Sequence, residues 1–206
     1  MIIAVDGPTA SGKGTIAKQL ASHFDIPHLD TGLLYRAVGH QVILNGGDPD
    51  NERDAVAACD FPAALLDDAV LRSETTGSLA SRVSVHPAVR QALFDRQRSF
   101  ATQSNGAVLD GRDIGTIIAP DADVKLFITA SVQERARRRW LEMTDRGIEV
   151  QLTEVEADIA KRDARDINRS DAPLKAAVDA FVIDTTSFNR EEAFETVLET
   201  VQTALA

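Results

Sequence analysis

The residues best able to do chemistry stand at the front of the chain. Gly7-Pro8-Thr9-Ala10-Ser11-Gly12-Lys13-Gly14-Thr15 has the G-x-x-x-x-G-K spacing of a phosphate cradle. In such a loop the backbone N–H groups converge on an anion, and the lysine reaches the outer phosphate oxygens. Gly14 stands where many such loops carry Ser or Thr, which leaves Thr15 as the hydroxyl able to act near Mg2+. Three further clusters carry charge. They are Asp30-Thr31-Gly32-Leu33-Leu34-Tyr35-Arg36, Asp110-Gly111-Arg112-Asp113, and the set Arg162, Asp166 and Arg169. The last three recur at i, i+4 and i+7, the spacing of one helix face. Arginine outnumbers lysine 17 to 5, and eight of the arginines fall between Arg135 and Arg169. A guanidinium fork grips phosphate bidentately, whereas an ammonium acts as a point charge. In a chain of formal net charge −10 this concentration points to a focused anion pocket and argues against a surface that coats nucleic acid.

These residues need elements that deliver them to one edge. Ile2 to Asp6 predicts a buried strand running straight into the loop, and Ile16, Ala17, Leu20, Ala21 and Phe24 follow at helical spacing. His28-Leu29-Asp30 predicts a second strand, with Thr31 as N-cap of a helix through Leu33, Ala37 and Val42. Asn45 to Asp50 is a break. Asn51 to Ser84 reads as an insertion with room for a helix at Glu52–Ala58 and a short strand at Ala69–Arg72. Pro87 opens a helix through Val89, Leu93 and Phe100. Ala107–Asp110, Val124–Thr129 and Phe181–Asp184 predict three more strands. Between and after them lie a helix capped by Ser131, one from about Thr153 to Arg169, and one opened by Asn189 with Glu192. Five short apolar strands alternating with helices predict an α/β fold, a five-stranded parallel sheet with helices on both faces. Ligands in such sheets bind at the carboxyl ends of the strands, here Asp6-Gly7, Asp30-Thr31, Asp110-Gly111 and Asp184-Thr185.

The 206 residues, 44% of them hydrophobic, suit one domain with insertions. The lone Cys59 cannot form an internal disulfide, and the four histidines show no metal spacing. The chain opens directly in a strand without a basic leader, and no apolar run approaches a membrane span, so a soluble cytoplasmic protein is expected. The residues alone leave three classes open: a small-molecule kinase, a nucleotide-dependent switch and a non-catalytic nucleotide sensor. No N-K-x-D or T-K-x-D guanine reader is present, and a switch has no need of eight arginines in one lid-sized stretch.

The segment from Asp6-Gly7-Pro8 through Gly12-Lys13-Gly14-Thr15 resembles the GPxxxGKGT loop of nucleoside monophosphate kinases. Asp30-Thr31-Gly32 with Tyr35-Arg36, Asp110-Gly111-Arg112-Asp113-Ile114-Gly115-Thr116, and Arg162-Asp163-Ala164-Arg165-Asp166-Ile167-Asn168-Arg169 resemble bacterial cytidylate kinases more narrowly, in the same order and across nearly the whole chain. The resemblance implies ATP as donor, Mg2+, and CMP or dCMP as acceptor. It implies that residues Gly7 to Thr15 hold the ATP phosphates, with Arg138 and Arg139 in a closing lid on the donor side. Asp30 and Thr31 would border the acceptor, and Arg36 and Arg112 would grip its phosphate. Asp113 and Arg90, helped by Ser81, would read the cytosine edge. Arg162 and Asp166 would hold the ribose, and Arg169 would add positive charge. Lys13, Arg112, Arg162 and Arg169 would be the charges that act in catalysis. The resemblance further implies one domain over 1–206, a nucleotide-binding insertion at about 37–105, a lid at about 140–166, and a monomer with no nucleic-acid polymer or membrane as partner. Close relatives of that reaction, on UMP, AMP, shikimate or dephospho-CoA, are disfavoured by the D-G-R-D block and the paired-arginine helix. Two departures stand out: Ala10 replaces a glycine usual in the loop, and residues 51–84 are shorter than the usual insertion.

Overall fold

Alternation along the strands decides how the sheet is covered. A computed structural model describes residues 1–206. Five strands, β1 (Ile2–Asp6), β2 (His28–Asp30), β3 (Ala107–Gly111), β4 (Val124–Thr129) and β5 (Phe181–Asp184), lie in the order β2-β3-β1-β4-β5. β1 runs parallel to both β3 and β4, and β4 parallel to β5. Ile3, Val5, Val108, Val124, Leu126 and Ile128 point to one face. There they meet Ile16 and Leu20 of α1 (Lys13–Phe24) and Val197 and Val201 of α8 (Arg190–Leu205) in one buried cluster. This is the parallel α/β sheet that the alternating strands and helices predict. Its register puts Val5 opposite Asp110, and Asp6 opposite both Gly111 and Phe127. The ends of β1 and β3 are therefore level, β4 runs two residues further to Thr129, and the segments that follow them leave from one edge.

The remaining helices are α2 (Thr31–Leu44), α3 (Glu52–Ala57), α4 (Glu74–Val83), α5 (Pro87–Ala101), α6 (Val132–Asp145) and α7 (Leu152–Ile167). Pro87 opens α5, the Ser131 hydroxyl accepts from the Glu134 N–H at the start of α6, and Asn189 and Glu192 cap α8 reciprocally, all as expected. Four details differ from expectation. Thr31 is the first residue of α2 and Asp30 its N-cap, because β2 passes into the helix with no turn between. Ala69–Arg72 is a 3₁₀ turn and not a strand, since Asp68 accepts from the Val70 N–H and starts a tight turn there. Residues 74–83 form a full helix capped by Ser73, although the sequence there carries Thr-Thr-Gly-Ser, weak helix formers that conceal it. α7 stops at Ile167, so Arg169 lies just beyond the helix and not on its face.

Contacts group the chain into two compact units, Met1–Leu29 with Gln103–Ala206, and Asp30–Thr102. In the second unit α2 packs tightly on α4. A β-carbon at Gly39 would stand 2.7 Å from Leu79 Cβ, so only glycine permits this approach. In the first unit a π-helical turn, Ile114–Ile118, follows β3, and α6 and α7 enclose a small cluster of Ala136, Val155 and Ile159. Trp140, half-buried, packs against that cluster and donates its indole N–H to the Val150 carbonyl at 3.0 Å. No helix is long and apolar enough to cross a membrane.

Candidate active site

The loop between β1 and α1 is shaped by residues that need unusual backbone. Gly7 has φ +151°, and a β-carbon there would fall 2.0 Å from the Ile128 carbonyl oxygen, so no other residue fits. Gly12, at φ +88°, caps α1 in the left-handed region. Ala10 also sits left-handed, at φ +57°. Lys13 is the first residue of α1, is buried, and donates from Nζ to the Pro8 carbonyl at 3.2 Å. No acidic residue occupies the first turn of α1, so nothing in that turn offsets the positive end of the helix dipole. The buried Ser11 hydroxyl has no hydrogen-bond partner in the protein. An orphaned hydroxyl beside the positive end of a helix suits a phosphate oxygen. The exposed Thr15 lies two residues into the helix.

Asp110 ends up beside this loop. A β-carbon at Gly14 would stand 3.5 Å from its Oδ2, and its Oδ1 pairs with His28 Nε2 at 2.7 Å. Asp6 serves a different purpose. Its two carboxylate oxygens accept the Ile114 and Gly115 N–H groups, each at 2.8 Å, and so anchor the turn that follows Arg112 and Asp113. Burial pushes the Asp6 carboxyl up to about 7 against the pull of those two N–H groups, with Asp113 adding to the rise and Lys13 opposing it. A carboxyl whose folded value exceeds its unfolded one, 3.8, keeps its proton longer when folded. The folded state then binds more protons between those two values, and stability falls as pH rises across that window. Replacing Asp6 by Asn removes this penalty. Thermal melts at about pH 5 and pH 8 should show the wild type losing more stability on going alkaline than Asp6→Asn does. Equal losses would show that Asp6 does not titrate in that range.

The third cluster converges on one carboxylate. Asp166, 3% exposed, receives Arg112 Nε at 2.9 Å and Arg169 Nη2 at 3.4 Å. Burial would raise its carboxyl, but the charges of Arg112, Arg169 and Arg162, with the Arg112 hydrogen bond, outweigh burial and hold it below the ordinary carboxylate range. Arg169 reaches Asp166 although it lies past the helix end, because the chain turns back there: Leu174 N–H bonds the Asp166 carbonyl at 2.9 Å. Asp113 is buried at the N-cap of the π-helical turn.

The donor-side arginines, Arg138 and Arg139, stand on α6 and line a cleft of about 760 Å³ together with Ser11, Gly12, Thr15 and Thr185. Arg138 donates to Thr185 and to Glu134, and Arg139 pairs with Glu142 at 2.6 Å. Glu134 is held down to about 2, chiefly by its hydrogen bond from Arg137. Thr185, Phe188 and Asn189 also line this cleft, and they were not among the expected site residues. Their signal was the strand end Asp184-Thr185, which the parallel-sheet rule already marks as a ligand edge.

In the unit formed by residues 30–102, Arg36 donates to the Leu71 and Ser73 carbonyls, both at 2.8 Å, and fills the space beside Gly77. Ser81 is buried on α4. Arg90 is buried on α5, its guanidinium 5.9 Å from the centre of the Tyr35 ring. Thr31 is buried and Asp30 half-buried at the start of α2.

This arrangement has known counterparts. A family profile described as Cytidylate kinase matches residues 3–203. A cytidylate kinase of Caulobacter sp. strain K31 is 52% identical over 206 residues, covering all of this chain and 95% of that protein. One of Methylocella silvestris is 52% identical over 205 residues, covering 99% and 95%. One of Brucella suis is 48% identical over 206 residues, covering 100% and 94%. Among solved structures, an uncharacterized protein from Eubacterium ventriosum superposes with TM-score 0.57 at 16% identity, over 98% of this chain and 99% of that one. A Thermus thermophilus protein superposes with TM-score 0.50 at 21% identity, over 100% and 98%. The structures speak for the fold alone. The profile and the full-length relatives go further: the chain belongs to the cytidylate kinase family.

Proposed function

We infer that this protein transfers the γ-phosphoryl group of ATP to CMP and dCMP, giving ADP and the corresponding diphosphate. The observation that carries this reading is the Arg112–Asp166–Arg169 group, its Asp166 and Arg169 buried, in the same compact unit as the phosphate loop of Lys13. One is a device for an anion at the end of β1, the other a charge cluster after β3, and a phosphoryl transfer between two nucleotides needs both. The acceptor phosphate oxygen is already ionised at neutral pH, so no general base is required. Catalysis then rests on alignment and on charge placed in advance.

Gly7, Pro8, Thr9, Ala10, Ser11, Gly12, Lys13, Gly14 and Thr15 are assigned to the ATP phosphates, with Arg138 and Arg139 beside them. Asp30, Thr31, Arg36, Ser81, Arg90, Arg112, Asp113, Arg162, Asp166 and Arg169 are assigned to CMP. Thr15 would hold Mg2+. No group of three or more His, Cys, Asp or Glu side chains forms a metal cage here. That suits an ion carried mainly by phosphate oxygens and water, which is how Mg2+ usually binds in such sites. When bound, the ion supplies positive charge to the transferring phosphates. Segment 140–166 is assigned as the lid that excludes water, the insertion at about 37–105 as the acceptor-binding part, and the protein as a cytoplasmic monomer.

The test is ADP release from ATP with Mg2+ and a panel of CMP, dCMP, UMP, AMP and shikimate. Strong stimulation by CMP and dCMP is expected. Hydrolysis indifferent to acceptor would indicate a switch instead, and no turnover a sensor. Base choice is assigned to Asp113. The cytosine amino group donates at N4, where uracil presents a carbonyl, so a carboxylate prefers cytosine. Asp113→Ala should therefore lower kcat/KM for CMP far more than for UMP, on the order of tenfold or more in the ratio. Equal losses on both would remove Asp113 from base recognition.

A further inference from the structure

Arg135 is not among the residues given to either nucleotide, yet it is buried and fully engaged. Its Nε donates to the Ala130 carbonyl at 2.8 Å. Its Nη1 donates to the Thr9 carbonyl at 3.1 Å, and Nη1 and Nη2 meet the Asp163 carboxylate at 3.2 and 2.6 Å. Thr9 belongs to the phosphate loop, Ala130 directly follows β4, and Asp163 lies on α7. One side chain thus ties the loop to the helix that presents Asp166 to Arg112 less than one turn further on. Because Asp163 neutralises it, Arg135 offers little net charge to a phosphate, so its use is mechanical.

A second observation of another kind marks the same junction. Ala10 adopts φ +57°, which costs a non-glycine residue roughly 1–2 kcal/mol. Its methyl packs on Ala136, Val155 and Ile159, the cluster that α6 and α7 enclose. A glycine there would be unstrained and would lack that methyl contact. The strain is tolerated where the methyl joins loop to helix pair, which supplies a physical reason for alanine at this position.

We propose that Arg135, with Asp163 and Ala10, is a positioning assembly that couples the phosphate loop to α7. Filling the loop with the donor's phosphates fixes Thr9 and Ala10, and through them the register of α7 with Arg162 and Asp166. Acceptor binding is thereby tightened, and by reciprocity the acceptor tightens the donor. This rests on the assignment of Arg112, Arg162 and Asp166 to CMP.

The experiment is calorimetric titration of CMP with and without the non-hydrolysable imido analogue of ATP plus Mg2+. In the wild type the analogue should tighten CMP by about fivefold or more. Asp163→Asn keeps the side chain's shape but loses the ion pair. Its coupling factor should fall toward one while the affinity for each ligand alone changes by less than about threefold, under ~1 kcal/mol. Arg135→Lys, which keeps the charge but cannot span three acceptors, should do the same. A purely structural role would lower the melting temperature and weaken both ligands in parallel, leaving the factor unchanged. An unchanged factor in Asp163→Asn, or no coupling in the wild type, overturns the proposal. If Asp163→Asn does not fold, Ala10→Gly, which removes one methyl, decides by the same ratio. Arg162→Gln, titrated with CMP alone, separates the two possible failures. Unchanged CMP affinity there overturns the acceptor assignment and the coupling with it. Weakened CMP with an intact factor in Asp163→Asn overturns the coupling only.

Discussion

Lys13→Ala should lower kcat by about a hundredfold or more while the protein still folds. Lys13 is the buried cation at the start of α1, and it donates to the Pro8 carbonyl within the loop it serves. The β1–α1 connection is shaped by the backbone of Gly7 and Gly12, so the fold of the loop does not depend on the lysine side chain. What disappears is a positive charge aimed where negative charge moves during transfer, in a loop whose Ser11 hydroxyl is already shielded from water. In such surroundings a preorganised charge is worth about 3–4 kcal/mol, hence the size of the effect. The check is steady-state kinetics with CMP at saturation beside a thermal melt. A folded variant with wild-type kcat would remove Lys13 from the transfer step. A fall in kcat with an unchanged melting temperature separates catalytic loss from unfolding.

Most of the fold was legible because its signals are local. β1, the loop and α1 follow one another without a gap, and the strands are short runs of which all but β4 end on an acid or a glycine. The end of β3 is typical: Ala107 to Asp110 reads as a strand, and the structure extends it by Gly111 alone. The stretch from 51 to 84 resisted because its helices are short and capped by side chains that also favour turns. Ser73 and Asp68 each accept a backbone N–H, yet neither is followed by a strong apolar period. For the charge clusters, spacing was a partial guide. It joined Arg162 and Asp166 correctly on α7. Arg169, however, meets Asp166 through the turn beyond the helix, where Leu174 bonds back to Asp166, a tertiary feature with no period to read. Arg135 was invisible for a similar reason: in a run of arginines nothing in the sequence says which one is buried. Only the Thr9 and Ala130 carbonyls and Asp163, far apart in sequence, single it out.

The second large effect is expected at Asp166, where stability and binding fall together. Asp166→Ala leaves Arg112 and Arg169 without the carboxylate they share, and both Asp166 and Arg169 are nearly inaccessible to water. Breaking a buried ion pair from one side costs about 3–5 kcal/mol, because the remaining charge stays desolvated. In a chain of this size about 1 kcal/mol moves the melting temperature by roughly 2–4 °C, so a fall on the order of 10 °C is expected. Arg112 also loses the partner that fixes its Nε, and a wandering guanidinium grips a phosphate poorly. KM for CMP should rise by about tenfold or more, in line with the loss of a charged hydrogen bond. Asp166→Asn distinguishes shape from charge. It can still accept from Arg112, so it should keep more of the stability than Asp166→Ala while losing the attraction of three arginines. Acid gives an independent check. The Asp166 carboxyl is held below its ordinary value, so its contribution is present above about pH 4 and is lost as pH falls further. The gap in melting temperature between wild type and Asp166→Asn should therefore narrow in acid. A constant gap would mean that the charge of Asp166 is not what stabilises the cluster, and that Arg112 is positioned by its own bond to the Gly111 carbonyl.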